Sequence, residues 1–485
     1  MCYLQFNFGT MNIQRLIAGV FGTGLCLSAV AQNPKPNIVF ILADDLGWTD
    51  LSCTGSDFYE TPNIDKLRAV GMLFTRAYTN AANSAPSRAS ILTGLYTPRH
   101  GVYTVNPPDR GKPENRKLIP QKNLDVLDTA LVTFPEILQA NGYRTIHIGK
   151  WHLGDDKNQT GPKANGFDVN IGGTHIGTPY SYWYPFCSKS GNCLPNLDLS
   201  DSTHQYLTDR LTQEAVNQIK ASRDQPFFLY LAHHAVHTPL QAKPEIVEKY
   251  RQKPAGKRHN NAMYAAMIES LDESVGRVIE ALREEGKLES TLIVFLSDNG
   301  GMLAGISDNS PLRGGKGMPY EGGNRVPMIV AYGNKIAKNS TSNIPVMGAD
   351  LFPTFLDFAN IKNENENQTD GRSIQPILSG EKNNKLSKRN LYFYFPAYLE
   401  EYGDENSFRA TPFASVVSDE WKLIYFFEDN RSELYHLKND IGESIDQSET
   451  DKYKAKEMRK KLFKWMKQVD APTVFQQNPL YLNKD

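Results

Sequence analysis

Four apolar runs constrain this chain more than any other feature of its sequence. The first, at residues 37–43, has six consecutive apolar residues after Asn37. A strand with one face in water alternates apolar and polar residues, so an unbroken run predicts a strand buried on both faces of a parallel sheet. Comparable runs lie at residues 145–148, 227–231 and 292–296.

The segments between these runs have the apolar spacing of helices, most clearly at residues 262–282. Strands that alternate with helices indicate helical layers packed on a mostly parallel sheet. We therefore predict an α/β fold over residues 32–380, with a large α/β/α sandwich as its architecture.

The pattern changes near residue 380. Residues 379–385 are polar and indicate a linker. Short strand candidates follow them, and residues 451–469 have the pattern of a charged amphipathic helix. We predict a smaller C-terminal α+β domain at residues 386–475, with an antiparallel sheet and one helix.

The N-terminus has the pattern of an export signal. An apolar run at residues 16–30 follows a short basic start, and Ala29 and Ala31 supply small residues at a cleavage position. We expect a signal peptide over residues 1–31, with Met11 as an alternative start. The run is short for a bilayer span, so a membrane anchor is the weaker interpretation. The protein is predicted to be exported, periplasmic or extracellular, without stable membrane insertion.

Composition narrows the classes of partner. The chain has 53 basic and 54 acidic residues, so its net charge gives no reason to expect a nucleic-acid partner. Cys187 and Cys193 flank a short polar turn and could form a disulfide in an oxidising compartment. Cys53 is expected to be a buried apolar side chain. No cysteine spacing resembles a zinc cluster.

Polar residues gather directly after the apolar runs. The carboxyl ends of strands in an open α/β sheet share one edge, where ligands bind. We therefore expect these residues to meet in one crevice. They are Asp44 and Asp45 after the first run, Lys150 and His152 after the second, His237 after the third, and Asp298 and Asn299 after the fourth.

Four of these residues, Asp44, Asp45, Asp298 and Asn299, offer only oxygen ligands. Oxygen donors without cysteine or histidine suit Ca²⁺ or Mg²⁺ rather than zinc. Each pair alone could instead be a helix cap or a turn. Their joint placement after strands of one sheet favours the metal site.

The segment at residues 84–94, SAPSRASILTG, is the most distinctive in the chain. Pro86 suits the first turn of a helix because it needs no amide donor there. Ser84 is then expected just before the helix, where free amides and the helix dipole favour an anion. Arg88 lies within the first turns and can add several hydrogen-bond donors.

This segment resembles the signature of the type I sulfatases, the arylsulfatase-like, formylglycine-dependent enzymes of the alkaline phosphatase superfamily. In that signature a Cys or Ser precedes x-Pro-Ser-Arg, and the string ends in Leu-Thr-Gly. The resemblance extends over most of the chain, and further motifs follow in the family's order. They are Asp44-Asp45-Leu46-Gly47, residues 149–154, residues 297–301, residues 314–317 and residues 321–323.

The resemblance implies that Ser84 is oxidised to formylglycine (3-oxoalanine), whose hydrate is the nucleophile. Ser84 stands where many members have cysteine, which is typical of serine-type bacterial members. Such members need an anaerobic sulfatase-maturating radical enzyme as a transient partner. The resemblance further implies that Asp44, Asp45, Asp298 and Asn299 hold a metal ion together with Ser84, with Ca²⁺ preferred to Mg²⁺.

The remaining catalytic roles follow from the same resemblance. Asp298 would accept the proton of the attacking hydroxyl, and Arg88 and Lys150 would hold the hydrate and the sulfate. Lys316 and His237 would protonate or stabilise the leaving oxygen. His152 would take a proton from the second hydroxyl, which releases sulfate.

Substrate recognition is the part of the function that the sequence determines least. His175 lies in a glycine-rich insertion next to four aromatic residues, which could stack on a sugar or merely cover the crevice. Together with Arg313 it is a candidate substrate-binding residue. The resemblance favours exo-removal of sulfate from a sulfated saccharide, with galactose or N-acetylgalactosamine as the sugar.

Two other functions remain open. The first is a phosphatase or phosphodiesterase of the same superfamily that uses unmodified Ser84 as its nucleophile. The second is a non-catalytic carbohydrate-binding protein with a degenerate site. The oxygen-rich metal set argues against the first, and the complete set of acid, base and cation argues against the second.

Overall fold

The apolar run at residues 37–43 forms the centre of the main sheet. In the computed structural model, β1 (Asn37–Ala43) is buried at every position and pairs in parallel with β5 (Phe227–Ala232) and β6 (Thr291–Ser297). On the far side of β5, β3 (Arg144–Gly149) also pairs in parallel. All four strands predicted from the apolar runs are therefore present.

The structure describes residues 35–197, 205–362, 369–381 and 384–482. The predicted signal peptide at residues 1–31, with its alternative start at Met11, lies outside the described residues. Residues Lys35–Asp485 form one compact unit. The proposed boundary between domains at residues 380–386 falls within that unit and stays a prediction. Within the described part of the chain, no helix has both the length and the apolar character needed to cross a membrane.

The complete sheet is mixed. Its strand order is β4-β3-β5-β1-β6-β7-β2-β8, and β9 pairs with β2. The strand β7 is antiparallel to both of its neighbours, β6 and β2, and the other pairs are parallel. The strands not yet given bounds are β2 (Met72–Tyr78), β4 (Val169–Ile171), β7 (Arg325–Ala331), β8 (Ser340–Ser342) and β9 (Val346–Met347).

Successive residues of β1 contribute to different cores. Val39 and Ile41 belong to one apolar cluster, and Ile38, Phe40 and Leu42 belong to another. Because neighbouring side chains on a strand point to opposite faces, the sheet has a core on each side. The α/β/α sandwich is thus confirmed.

The helices that cover these faces vary widely in length. The longest, α7, spans the segment for which helical spacing was predicted. The helices are α1 (Pro62–Val70), α2 (Ser84–Thr93), α3 (Thr97–His100), α4 (Phe134–Ala140), α5 (Leu207–Ala221), α6 (Pro244–Gln252), α7 (Ala262–Glu284), α8 (Glu321–Asn324), α9 (Leu351–Phe358), α10 (Gln375–Leu378), α11 (Asn384–Ser387) and α12 (Lys452–Gln468).

A second, antiparallel sheet follows in the C-terminal region, as predicted. Its order is β10-β13-β14-β15, and α12 packs against it through Met458, Leu462, Trp465 and Met466. The strands are β10 (Asn390–Phe395), β13 (Phe413–Ser418), β14 (Trp421–Phe426) and β15 (Ser432–His436).

A separate hairpin of β11 (Leu399–Glu401) and β12 (Asp404–Ala410) lies between β10 and β13 in the chain. This hairpin was not predicted. Its residues 400–407, EEYGDENS, are almost entirely polar, so they give no periodic apolar signal.

The cysteine arrangement is also resolved. Cys187 and Cys193 form a disulfide that closes the short polar turn. Cys53 is a free, partly buried thiol packed against the core, close to the apolar role predicted for it.

A buried charge cluster joins the two sheets. Lys422 of β14 contacts Glu321 at 3.2 Å and Glu443 at 3.0 Å, and all three side chains are almost completely buried. The Glu321 carboxylate also accepts a hydrogen bond from the Tyr78 hydroxyl at 2.8 Å. Burial raises the pKa of Glu443 to about 7, and Glu321 contributes to this rise although Lys422 opposes it. The cluster anchors α8, which follows the segment carrying Lys316.

We expect Lys422→Met to lower the free energy of unfolding by about 3–5 kcal/mol, since it leaves buried Glu443 without its cation and leaves Glu321 with Arg325 alone, at 3.5 Å. Urea denaturation measures this change. Lys438→Met is the matched control: Lys438 is exposed and pairs with Glu420 at 3.0 Å, so its loss should cost less than about 1 kcal/mol. Equal effects of the two variants would show that the cluster does not stabilise the junction.

Candidate active site

Ser84 is the first residue of α2. The sequence predicted it just before the helix, and the difference is one position: Asn83, in extended backbone, is the N-cap. Pro86 occupies the third helical position, still within the first turn, where its missing amide breaks no helical hydrogen bond. Every residue of α2 is buried, so the helix start is held firmly inside the domain.

The Ser84 hydroxyl lies between residues that follow two central strands. Its Oγ is 3.1 Å from Oδ1 of Asp44 and 3.2 Å from Oδ1 of Asn299. Asp44 follows β1, and Asn299 follows β6 by two residues. The predicted convergence of strand ends on the start of α2 is therefore observed.

Arg88 holds Asp298 in place. Its Nε and Nη2 donate to Asp298 Oδ2 at 3.0 and 2.8 Å, and its Nη1 donates to the Lys150 carbonyl at 3.0 Å. Burial and the neighbouring Asp44 raise the pKa of Asp298, and Arg88 opposes that rise. Asp298 Oδ1 also accepts the Asp45 amide at 3.2 Å. Both of its oxygens are thus engaged by the protein.

Each of the other two acids has a lysine partner. Lys150 Nζ donates to Asp44 Oδ2 at 2.6 Å, and Lys316 Nζ donates to Asp45 Oδ2 at 2.8 Å. Burial lowers the pKa of Lys150. Burial would also lower the pKa of Lys316, but Asp45 and Asp44 raise it above its ordinary value. Lys316 is therefore firmly protonated at neutral pH.

Two of the predicted histidines border the same site. His237 Nδ1 donates to the Thr238 carbonyl at 2.7 Å, and its Nε2 lies 3.6 Å from Asp45 Oδ2. Burial and Lys316 lower the pKa of His237 to about 3. Burial and Lys150 lower the pKa of His152 well below its ordinary value. Both rings are therefore neutral at pH 7.

The donor chemistry fits a hard divalent cation. Ligand atoms of Asp44, Asp45 and His237 lie within 4.8 Å of one another, and the oxygens of Ser84 and Asn299 adjoin them. His237 Nε2 lies 3.6 Å from the Asp45 Oδ2 that also accepts from Lys316 at 2.8 Å, so this carboxylate has nitrogen neighbours from two segments of the chain. The sequence predicted His237 only as a catalytic residue, so its place beside the acids is a finding of the structure.

A cleft of about 530 Å³ opens beside these residues. His152, His237 and Lys316 form one part of its wall. The glycine-rich insertion reaches the cleft through Gly177 and Thr178. Gly177 has no side chain because a Cβ there would lie 2.2 Å from the His152 ring.

Neither predicted substrate-binding residue lines this cleft. The His175 side chain is 65% exposed and lies 3.2 Å from Asp155, away from the lining. Arg313 donates to the Tyr435 hydroxyl and the Glu443 carbonyl, and it stacks on the Tyr320 ring. Arg313 therefore supports the junction with the C-terminal sheet. The substrate-binding role of these two residues stays a prediction.

The opposite wall of the cleft comes from residues that sequence reasoning missed. Arg110 and the β11–β12 hairpin supply it, with Glu400, Tyr402 and Arg409 facing the same cavity. Tyr402 donates to the Lys316 carbonyl at 3.0 Å, which joins the hairpin to the segment that carries Lys316. The only sequence signal was the density of charged residues near position 400.

Comparison with known proteins decides the family. Residues 36–361 match the Sulfatase family, and residues 315–471 match the family described as "N-sulphoglucosamine sulphohydrolase, C-terminal". The chain belongs to the sulfatase family. It is thus a sulfuric ester hydrolase with the alkaline phosphatase-like fold of type I sulfatases.

Relatives match this sulfatase over most of its length. A "Sulfatase" of Formosa agariphila is 34% identical over 91% of the chain and 90% of the relative. The "N-acetylgalactosamine-6-sulfatase" of Mus musculus is 32% identical over 79% of the chain and 72% of the relative. The crystal structure of Ps i-CgsB in complex with k-i-k-neocarrahexaose is 33% identical, has a TM-score of 0.74, and covers 91% of this chain and 95% of its own.

The fold alone does not decide the reaction. A phosphonate monoester hydrolase of Agrobacterium radiobacter matches with a TM-score of 0.64 at 19% identity, over 90% of this chain and 96% of its own. That likeness concerns the fold only. The family assignment, and not the fold, identifies the sulfatase activity.

We expect Lys316→Met to lower kcat/KM for sulfate esters at least 100-fold, since it removes a protonated group from the wall of the sulfate site. Initial rates at saturating and low substrate measure the loss. Lys338→Met, an exposed lysine outside the cleft, is the matched control and should leave the rate unchanged. If Lys316→Met lowers kcat/KM by less than ten-fold, Lys316 is not a catalytic residue.

Proposed function

We propose that this sulfatase is an exported enzyme that removes sulfate from sulfated saccharides in exo fashion, with galactose or N-acetylgalactosamine as the favoured sugar. One observation carries the proposal. Ser84 is the first residue of a buried helix, and three cationic side chains, those of Arg88, Lys150 and Lys316, belong to the same site. A cleft large enough for a saccharide lies next to them. Pockets of a few hundred Å³ are typical of small-molecule sites.

We further propose that Ser84 is oxidised to formylglycine. The oxidation removes two hydrogen atoms from the CH₂OH group, and the anaerobic radical maturase takes up the two electrons. The modification supplies, after hydration, two hydroxyls on one carbon, so that one can bond to sulfur and the other can drive release of sulfate. An unmodified serine has no second hydroxyl and would depend on attack by water.

The chain's own residues then have distinct tasks. Arg88 fixes the carboxylate of Asp298, whose raised pKa suits a group that accepts a proton near position 84. Lys150 and Lys316 place positive charge beside the sulfate oxygens. Lys316 is protonated and can donate to the leaving oxygen. His152 is neutral and can accept the proton whose loss accompanies release of sulfate.

Asp44, Asp45, Asn299 and position 84 would hold Ca²⁺, with Mg²⁺ as the less favoured ion. A bound divalent cation lowers the pKa of an adjacent hydroxyl and offsets the charge of sulfate oxygens. Oxygen ligands, and carboxylates above all, are the set that Ca²⁺ prefers. Asp298 was also predicted as a ligand, and we retain it in that role beside its contact with Arg88.

The substrate class rests on relatives and on the cleft. Relatives of 30% identity or more carry the names N-acetylgalactosamine-6-sulfatase and arylsulfatase A, and one related crystal structure contains an oligosaccharide. The cleft has polar and charged residues in its lining, among them His152, Lys316 and Arg409. The predicted export signal fits an enzyme that meets its sulfated saccharide outside the cytoplasm.

Enzyme made in a host that contains the maturase should hydrolyse 4-nitrophenyl sulfate at least ten-fold faster than 4-nitrophenyl phosphate. It should also release sulfate from the 4- or 6-sulfate of galactose or N-acetylgalactosamine.

Removal of the metal with a chelator should abolish both sulfatase activities, and Ca²⁺ should restore them where Zn²⁺ does not. Faster phosphate hydrolysis, restored by Zn²⁺, would instead establish the phosphatase alternative.

A further inference from the structure

The β11–β12 hairpin and Arg110 form a charged wall of the cleft that the mechanism does not use. Arg110 forms an ion pair with Glu400, whose side chain is largely buried. Arg409 donates through Nη1 to the Glu400 carbonyl at 2.6 Å. The Arg409 guanidinium also lies 4.2 Å from the centre of the Tyr402 ring. These contacts hold the wall in one conformation.

Two polar atoms of this wall are left without partners. Glu400 Oε2 and Arg409 Nε are both buried and make no hydrogen bond to the described residues. Arg409 Nε lies close to Gly317, where a Cβ would approach it to 2.9 Å. A buried donor or acceptor without a partner is destabilising, and an ordered water or a ligand group can supply that partner.

The charge of the wall indicates what that ligand group is. Arg110 and Arg409 are offset by Glu400 and Glu401, so the four ionisable side chains sum to zero. Burial lowers the pKa of Arg409, and Tyr402 opposes that change. The wall thus offers no net positive charge for a second sulfate. Glu400 and Glu401 supply acceptors to the cleft, and Arg110 and Arg409 supply donors.

A sugar hydroxyl is the group that matches this pair. A hydroxyl can donate to a carboxylate, as Glu400 offers, and can accept from a guanidinium, as Arg409 offers. A sulfate ester can only accept, so it would place its negative charge beside Glu400. A site that satisfies one group and repels its competitor gives specificity by both means.

We propose that Glu400 and Arg409 bind a free hydroxyl of the substrate sugar and thereby select saccharides that carry no second sulfate at that position. The inference rests on the proposed function, since it names how that enzyme chooses its sugar. The Tyr402 contact with the Lys316 carbonyl sets the distance between this hydroxyl site and the sulfate site.

The test compares three substrates in wild-type enzyme and in Glu400→Gln. They are the sugar monosulfate that wild type hydrolyses fastest, its counterpart with one further sulfate, and 4-nitrophenyl sulfate, which has no sugar. We expect Glu400→Gln to lower kcat/KM for the monosulfate about ten-fold more than for the aryl ester, mainly through KM. Glu400→Gln should also reduce, at least five-fold, the ratio of kcat/KM for the monosulfate to kcat/KM for the disulfate.

Glu405→Gln is the matched control, because Glu405 is an exposed residue of the same hairpin outside the cleft lining, and it should match wild type on all three substrates. Should Glu400→Gln fail to fold, Arg409→Lys gives the same comparison with the charge retained. Equal losses on the sugar and aryl esters, or an unchanged preference between monosulfate and disulfate, would overturn the inference.

Failure of the proposed function has a different signature. In that case wild type would hydrolyse none of the three esters. Calorimetric titration with the unsulfated sugars galactose and N-acetylgalactosamine still measures binding at the hydroxyl site, because binding does not require hydrolysis. Binding that is at least five-fold weaker in Glu400→Gln than in Glu405→Gln supports the inference, and equal or absent binding overturns it.

Discussion

The buried contact between Arg88 and Asp298 fixes the geometry on which the rest of the site depends. Arg88 comes from the first turns of α2 and Asp298 from the end of β6, and both side chains are fully buried. The third nitrogen of Arg88 also binds the carbonyl of Lys150, at the end of β3. One guanidinium therefore joins a helix start to two strand ends. Ser84, one helical turn earlier, is placed by that junction.

The charges around Ser84 are balanced before any ligand binds. Asp44, Asp45 and Asp298 are matched by Lys150, Lys316 and Arg88, and each acid contacts at least one of these cations. Isolated buried charges are strongly unfavourable, so this pairing is what allows six ionisable groups to share one buried region. A divalent cation would make the region positive, which favours the anionic sulfate ester.

The C-terminal region takes part in the site and is more than a covering layer. Lys422 joins its sheet to Glu321, just beyond the segment that carries Lys316. Tyr402 of the hairpin binds the carbonyl of Lys316 itself. Tyr402 thus contacts Lys316, the proposed catalytic lysine, and Lys422 contacts the helix that follows it, although both residues lie more than eighty positions later in the chain. Changes in this region can therefore alter both the rate and the choice of sugar.

The central sheet was predictable because β1 is buried on both faces and leaves an unbroken apolar run. The meeting of Ser84 with Asp44 and Asn299 was predictable for the same reason, since parallel strands end at one edge. That His175 and Arg313 lie outside the cleft lining was not predictable, because loop sequences carry no period that shows where a side chain points. The β11–β12 hairpin was missed because its polar residues show no alternation.

The central claim is that position 84 carries a doubly hydroxylated carbon and not a serine side chain. Mass spectrometry of the peptide that contains position 84, taken from active enzyme made in a host with the maturase, tests it most directly. The account predicts a peptide lighter by two hydrogen atoms, which borohydride returns to the mass of serine with loss of sulfatase activity. An unmodified Ser84 in fully active enzyme would contradict it.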